Sequence, residues 1–267
     1  MRNNRAYEKN RREERAPREE QVNEQLVAGR NAVRELLASG RDVDKIFTAR
    51  GEREGSITAL VSEAIARKIP VVEVDRRKLD TMCTHRHHQG IVAFAAARDY
   101  ATVDDMLALA ESKGEKPFIV IADGIEDPHN LGAIIRSAEC AGAHGLIIPK
   151  RRAVGLTDVV AKASAGAIEH LLIAKEVNLS DTIRDLQKKG VWVYAADMDG
   201  TNYCDTDFSS GVALVLGNEG SGISRLVLEN CDFTVSIPMF GQINSMNVSA
   251  AGAVLLCEIA RQRHFGR

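Results

Sequence analysis

The alternation of apolar and polar positions divides the chain into two α/β segments joined by a polar stretch. Leu26-Val27-Ala28-Gly29 reads as a short apolar turn into a helix on which Val33, Leu36 and Leu37 share one face, with Gly40 as a stop. Val43 to Ala49 predicts a strand, and Ser56 to Lys68 a helix with Ile57, Leu60, Val61, Ala64 and Ile65 inward. Pro70 to Val74 follows as a strand, Arg76 to Cys83 as a short helix and Gly90 to Ala97 as a strand, so residues 25–98 read as a small α/β domain. Thr102 and Asp105 form a capping box before a short amphipathic helix starting at Met106 and Leu107, and Lys113-Gly114-Glu115-Lys116-Pro117 is a polar break. Residues 99–116 are therefore read as a linker.

In residues 117–267 the pattern resumes with strands at Phe118 to Ala122, Gly145 to Pro149, Val191 to Ala196, Ala213 to Leu216 and Phe233 to Ile237. Helices are predicted at Leu131 to Ala141, Ser180 to Lys189, Ile223 to Glu229 and Ser245 to Arg261. No internal repeat is visible. Alternation of this kind points to an open parallel sheet with helices on both faces.

Composition refines this picture. The 267 residues (29.1 kDa) are 45% hydrophobic and 27% charged, an ordinary globular balance with ample material for a core. The longest apolar runs fall short of a membrane span, and the first residues lack an apolar signal core, so the expected compartment is the cytoplasm. Residues 1–24 read as a disordered charged arm, because residues 1–20 hold seven Lys/Arg and five Glu with almost nothing to bury. The arm is a solvated tail or an RNA-touching segment. A net charge of -2 excludes a uniformly basic coat but leaves room for local basic faces at Arg76-Arg77-Lys78, Arg86, Lys150-Arg151-Arg152 and Arg261/Arg263/Arg267. Five scattered cysteines (Cys83, Cys140, Cys204, Cys231, Cys257) read as reduced buried thiols.

Polar residues that a fold does not need collect at three strand exits of the second segment. The first runs from Asp123 to Gly132, with Asn130 where a helix cap belongs and Arg136 two turns into the helix. Arg136 sits among Ala133, Ile134, Ile135 and Ala138, and a guanidinium in apolar surroundings needs an anion or a set of acceptors. The second, Leu216-Gly217-Asn218-Glu219-Gly220-Ser221-Gly222, lets backbone amides approach a ligand, yet it is neither a dinucleotide fingerprint nor a Walker loop. The third runs from Ile237-Pro238-Met239 to Ser245-Met246-Asn247-Val248-Ser249, where Ser245 and Asn247 could cap the last helix or line a pocket. Carboxyl ends of strands are where open α/β sheets bind ligands.

Taken in order, these segments resemble the three motifs of the SpoU (TrmH) family of RNA ribose methyltransferases. Asp127-Pro128-His129-Asn130-Leu131-Gly132-Ala133-Ile134-Ile135-Arg136 carries the first, Leu216-Gly217-Asn218-Glu219-Gly220 the second, and Ile237-Pro238-Met239 with Ser245-Met246-Asn247-Val248-Ser249 the third. Met246 stands where leucine is commoner, a swap that keeps an apolar contact. Gly29-Arg30-Asn31-Ala32-Val33 and His88-Gln89-Gly90-Ile91-Val92-Ala93 resemble the L30e-like substrate-binding domain of the RlmB-like subgroup. The resemblance implies a SPOUT-type parallel-sheet domain with a trefoil knot behind that front domain, and a homodimer formed through the knot. It implies 2'-O-ribose methylation of RNA, a guanosine of 23S rRNA, with S-adenosyl-L-methionine as donor and no metal. Main-chain groups near Gly217, Ile237 and Met246, beside Leu216, Asn218 and Gly220, would cradle the cofactor. Arg136 would carry catalysis by orienting the RNA phosphate and the attacking oxygen, since a free guanidinium is a poor base. Asn130, Glu219, Ser245 and Asn247 would hold arginine, ribose and cofactor in register; Glu219 could instead serve an ion pair.

Cys83, His85, His87 and His88 invite a zinc reading, but their spacing matches no standard site and RNA contact or solvation suits them better. Three other functions compete: a catalytically silent RNA-binding assembly factor, a tRNA methyltransferase of the same family, and a nucleotide-binding oxidoreductase. Intact Asn130, Arg136, Glu219 and Asn247 count against the first, and the missing G-x-G-x-x-G against the last.

Overall fold

Two sheets organise the protein in a computed structural model that describes residues 26–51, 55–83, 88–95 and 99–266. The arm expected over residues 1–24, together with His85, Arg86, His87 and Arg267, lies outside the described residues.

The front sheet contains β1 (Leu26–Ala28), β2 (Val43–Ala49), β3 (Val71–Val74) and β4 (Ile91–Ala95) in the order β1-β4-β2-β3. β4 runs antiparallel to β1 and β2, while β3 runs parallel to β2. Helices α1 (Arg30–Ala38) and α2 (Ser56–Ala66) cover one face; α3 (Arg76–Met82) covers the other. Leu26–Ala28 is thus a strand where a turn was expected. Val27 packs with Val33 and Leu36 on one face, and Leu26 and Ala28 with Leu79 and Val92 on the other. A three-residue strand buried on both sides shows no alternation to read. Ile65, expected inward, is exposed: the buried stripe of α2 stops at Ala64 and the helix ends two residues later.

The second sheet is six parallel strands in the order β10-β8-β9-β5-β6-β7. They are β5 (Phe118–Ala122), β6 (Gly145–Pro149), β7 (Leu172–Glu176), β8 (Val191–Asn202), β9 (Gly211–Leu216) and β10 (Phe233–Ser236). Under α5 (Pro128–Cys140) and α9 (Val248–Phe265), Val120 and Leu214 pack against Leu131, Ile135, Leu255 and Ile259. On the opposite face Ile119, Ile121 and Val193 meet Ile183 and Leu186 of α7 (Leu179–Lys188) and Met106 of α4 (Val103–Ser112). Each fully buried aliphatic side chain contributes about 1.5–3 kcal/mol, so the two faces account for most of the driving force. The sequence pattern missed β7 and the short α6 (Asp158–Ala163).

Residues 99–116 are packed into this second layer. The capping box is present, with Asp105 N donating to Thr102 Oγ1 (3.2 Å) and Thr102 N to Asp105 Oδ2 (2.8 Å). Ala101 bridges Ala174 of β7, and Met106 is fully buried over Gly145, where any Cβ would overlap it. Glu35 and Arg41 of the front segment meet His170 and Glu169, which holds the two sheets against each other. Among the described residues no helix is long and apolar enough to cross a membrane.

Candidate functional site

The chain leaves β5 for β6 and β7 on one side and later fills β9 and β8 on the other. Winding therefore reverses between β5 and β9, the position where open sheets gape at their carboxyl ends. The glycine-rich turn after β9 sits there. Gly217 has no room for a side chain, because a Cβ would overlap the backbone of Gly222 and Ile223. Asn218 Oδ1 accepts from Gly220 N (2.8 Å) and Ser221 N (3.2 Å), while its Nδ2 donates to Gly124 O (2.8 Å). Ser224 N donates to Asp123 Oδ2 (2.7 Å), a second stitch between the turn and the exit of β5.

The starts of α5 and α9 are tied to the same turn. Asp127, not Asn130, caps α5, accepting from His129 N (2.9 Å), with Pro128 as the first helical residue. A proline cannot donate and is suited to that position, which puts the cap at Asp127, upstream of Asn130, and leaves the Asn130 side chain to another partner. Asn130 is buried in the first turn, where its Oδ1 accepts from Asn247 Nδ2 (3.0 Å). Asn247 is the cap of α9: its Oδ1 accepts from Ser249 N (3.0 Å), Ala250 N (3.3 Å) and Ser249 Oγ (2.6 Å). Three donors on that oxygen settle the amide orientation, so the nitrogen faces Asn130 and Glu219, to which it also donates. Ser245 takes no part in capping, since α9 begins at Val248.

These ties frame a cleft of about 490 Å³, a volume in the range of small-molecule sites. Of the residues singled out in the sequence, Leu216, Gly217, Asn218, Gly220, Ile237 and Met246 line it, as do Glu219 and Ser245. Asn130 and Asn247 stand behind the wall and reach it through Glu219. Arg136 does not line it. That side chain is exposed on the outer face of α5 with His129 and Cys140, and makes no hydrogen bond or ion pair among the described residues. The expectation that it lies in an apolar setting fails: Ile134, Ile135 and Ala138 turn inward, and the helical period turns residue 136 out.

Sequence reasoning missed the contribution of β8. That strand runs past Ala196 to Asn202 and brings Asp197 and Met198 into the lining. The signal was present as acidic residues at the carboxyl end of an apolar strand, Asp197-Met198-Asp199. Asp197 and Glu219 are the charged residues of the lining, which contains no Lys, Arg or His. Such a wall favours a cation.

The cysteines form no disulfide among the described residues, but only Cys83 is buried; Cys140, Cys204 and Cys257 are exposed, against expectation. Burial pushes the half-buried Cys231 thiol up to about 12 and leaves it inert at ordinary pH. His88 is buried, accepting from Gly90 N at Nδ1 (3.0 Å) with Nε2 on Asp80 (3.2 Å), and so has a structural role.

Comparison with known proteins agrees with this architecture. Residues 117–257 match the SpoU rRNA Methylase family, and residues 26–101 match RNA 2'-O ribose methyltransferase substrate binding domains. A Bacillus subtilis (strain 168) protein, YacO, named as a candidate TrmH family tRNA/rRNA methyltransferase, is 45% identical over 89% of this chain and 96% of its own. A Staphylococcus haemolyticus protein of the same description is 42% identical over 90% of this chain and 96% of its own. Among solved structures, the SpoU methyltransferase AviRb of Streptomyces viridochromogenes superposes with a TM-score of 0.77, at 24% identity over 91% of both chains. The AdoMet-bound rRNA methyltransferase of Sinorhizobium meliloti gives 0.72 at 26% identity, over 89% of this chain and 86% of its own. A parallel sheet that reverses its winding at a carboxylate-lined cleft, with its three motif loops bound together and a substrate-binding sheet in front, is therefore a member of the SpoU (TrmH) family of RNA methyltransferases.

Proposed function

We propose that this protein transfers a methyl group from S-adenosylmethionine to the 2'-hydroxyl of a guanosine ribose in large-subunit rRNA. The observation that carries the reading is the cleft at the winding reversal, whose charged lining is Asp197 and Glu219 alone. When bound, the donor supplies a methyl already activated by a positive sulfur, which two carboxylates and exposed main-chain groups of the glycine turn suit. No metal is needed to polarise it. Gly217 lets the turn close against Ile223, and Leu216 and Ile237 offer an apolar bed for a purine. Asn247 holds Asn130 and Glu219 in a fixed relation to that bed, while Ser245 offers a hydroxyl to cofactor or ribose. Fixed geometry of this sort is what an in-line transfer requires.

Arg136 points away from the cleft of its own chain, so the proposal gives it to a second copy. The working unit is a homodimer that apposes the exposed faces of α5 and α9, in which each guanidinium orients the RNA phosphate and the attacking oxygen at the partner's cleft. The knotting of the last helix implied by the sequence motifs belongs to the same reading, as does a cytoplasmic location, where rRNA is made and modified.

The front sheet favours rRNA over tRNA. The rRNA methyltransferase of Sinorhizobium meliloti aligns over 89% of this chain, front segment included. The Aquifex aeolicus TrmH/SpoU tRNA modifying enzyme, 28% identical with a TM-score of 0.51, aligns over only 55%. Ribose methylation of rRNA and tRNA, mapped in cells with and without the gene, tests the proposal. Loss of one 2'-O-methylguanosine from large-subunit rRNA is expected; loss from tRNA alone assigns the other substrate, and an unchanged map in both removes the proposal.

A further inference from the structure

Beside the cleft, the carboxyl edge of the second sheet carries a loop that the proposed chemistry does not use. β9, β5 and β6 are neighbours and parallel, so the glycine turn, the Asp123-Gly124 exit and the loop after β6 stand in a row on one edge. Strands lie about 5 Å apart, which puts the last of these about 10 Å from the first. That loop opens with Lys150-Arg151-Arg152. The three side chains are exposed and make no hydrogen bond or ion pair among the described residues. Elsewhere on this half Arg184, Arg225 and Arg261 are paired with Asp181, Glu229 and Glu258.

The loop is held in place by its backbone. Lys150 N donates to Glu176 O (2.7 Å) and Val154 N to Ile125 O (3.0 Å), which anchors it to the end of β7 and the exit of β5. Gly124 (φ 70°) bridges it to the cleft. A Cβ at Gly124 would stand 3.7 Å from Asn218 Cβ and 3.9 Å from Arg152 O, and the Gly124 carbonyl accepts from Asn218 Nδ2 (2.8 Å). Asn218 in turn holds the glycine turn that lines the cleft. One residue therefore separates the basic loop from the cleft wall. An independent observation concerns Arg152. Its φ of 58° lies in the left-handed region, where glycine is favoured and a larger residue is strained. No contact of the guanidinium within the fold offsets that strain. Strain held at an exposed, unpartnered cation points to a contact outside the chain. Glu126 and Glu176, the carboxylates at the same strand ends, pair with none of the three.

We infer that Lys150, Arg151 and Arg152 clamp the phosphates that flank the target nucleotide, so that the methylase segment itself sets the register of the RNA at the cleft. This inference rests on the reading that the protein acts on RNA. A ribose presented at the cleft carries its neighbouring phosphates past the β5 exit, where three unpartnered cations on a fixed loop offer charge-assisted bonds. Phosphate contacts position a strand without reading its bases, so the loop places the target and leaves sequence choice to other contacts.

The test follows methyl transfer and filter binding of the full chain across a salt series, with whichever of large-subunit rRNA and tRNA it methylates. Arg151→Gln removes one charge. Arg152→Gly removes another and suits the left-handed backbone, so the fold is kept. Each is expected to raise KM for RNA about tenfold with kcat changed less than about twofold, the pattern of a contact made equally in ground and transition states. Each also reduces the slope of log K against log salt by about one, and the double variant by about two. Arg152→Lys retains the charge and the original slope. Lys113→Gln, at the end of α4 on the opposite edge of the sheet, is the control and keeps both KM and slope. S-adenosylmethionine binding is the same in all. If the original chain methylates RNA and the loop variants keep its KM and slope, the clamp assignment is wrong, the loop faces another partner such as an acidic protein, and the function stands. A fall in kcat with KM unmoved also overturns the clamp. If neither RNA is methylated, the proposed function falls and takes this inference with it.

Discussion

Asn247 is the point where the cleft and the last helix are joined, and its two ends can be separated by mutation. Asn247→Ala removes the α9 cap, worth about 1 kcal/mol. It also strips the partner from the buried Asn130 oxygen, about another 1–2 kcal/mol. The bond to Glu219 adds little stability, because that carboxylate is exposed and regains water. The total is about 2–3 kcal/mol, which at about 2–4 °C per kcal/mol lowers Tm by about 4–12 °C. Asn247→Asp behaves differently. An aspartate still accepts from Ser249 N and Ala250 N and is favoured at a helix start, so it keeps the cap and loses only the share owed to Asn130, about 1–2 kcal/mol. It cannot donate, however, and sets a carboxylate against Glu219 and Asn130 Oδ1. Loosening that wall should weaken S-adenosylmethionine binding at least tenfold, about 1.4 kcal/mol. Thermal denaturation and calorimetry on the two variants measure both quantities. An Asn247→Asp protein that binds the cofactor as tightly as the original refutes the claim that this amide positions the cleft.

Three further outcomes are expected. Gly217→Ala should fold yet lose cofactor binding more than tenfold by calorimetry, because the added Cβ forces the glycine turn off Ile223; unchanged binding would mean the turn relaxes freely. His144 is buried, accepts from Phe118 N at Nδ1 (3.0 Å) and meets Glu115 at Nε2 (3.1 Å). Burial, helped by Arg263 and Lys113 and opposed by Glu115, lowers its pKa from the ordinary 6.5. The unfolded chain therefore takes up this proton first, so the contribution is whole above pH 6.5 and is lost as pH falls below it, at up to about 1.4 kcal/mol per pH unit. Urea titrations from pH 7 to 5 should show that slope and His144→Asn should flatten it; equal slopes would assign the effect to other groups. Thr48→Val should raise stability of the RNA-free protein by about 1 kcal/mol, since it deletes a buried hydroxyl with no partner; a loss of that size in chemical denaturation would show that the hydroxyl has one.

The elements that could be read in the sequence were those with a period. Val33, Leu36 and Leu37 on α1 and the apolar blocks of β5 and β9 announce themselves, and each is buried as expected. Leu172–Glu176 was missed because its apolar residues continue from Ile168 and Leu171 with no turn signal between them. The six residues of α6 are too few for a helical stripe to form, although Thr157 caps them in the ordinary way, accepting from Val160 N (3.3 Å). At the site, the glycine turn and the third motif were legible because glycine, asparagine and serine at a strand exit have few structural uses. The outward direction of Arg136 was not, because four apolar neighbours in sequence suggest burial whereas nearly half a helix turn separates it from the buried Ile134 and Ala138 in space. Asn130 was read as a cap because its residue type suits one, yet Pro128 beside Asp127 was the better cap signal. Asp197 was missed because the predicted strand ended one residue before it.

The central claim is the transfer of a methyl group to a ribose oxygen of RNA. Purified protein, labelled S-adenosylmethionine and large-subunit rRNA, followed by nuclease digestion and mass spectrometry of the nucleosides, test it most directly. The account predicts that the label appears in 2'-O-methylguanosine and that Arg136→Ala abolishes transfer while cofactor binding persists. Label on a base instead of a ribose, or full turnover by Arg136→Ala, would contradict it.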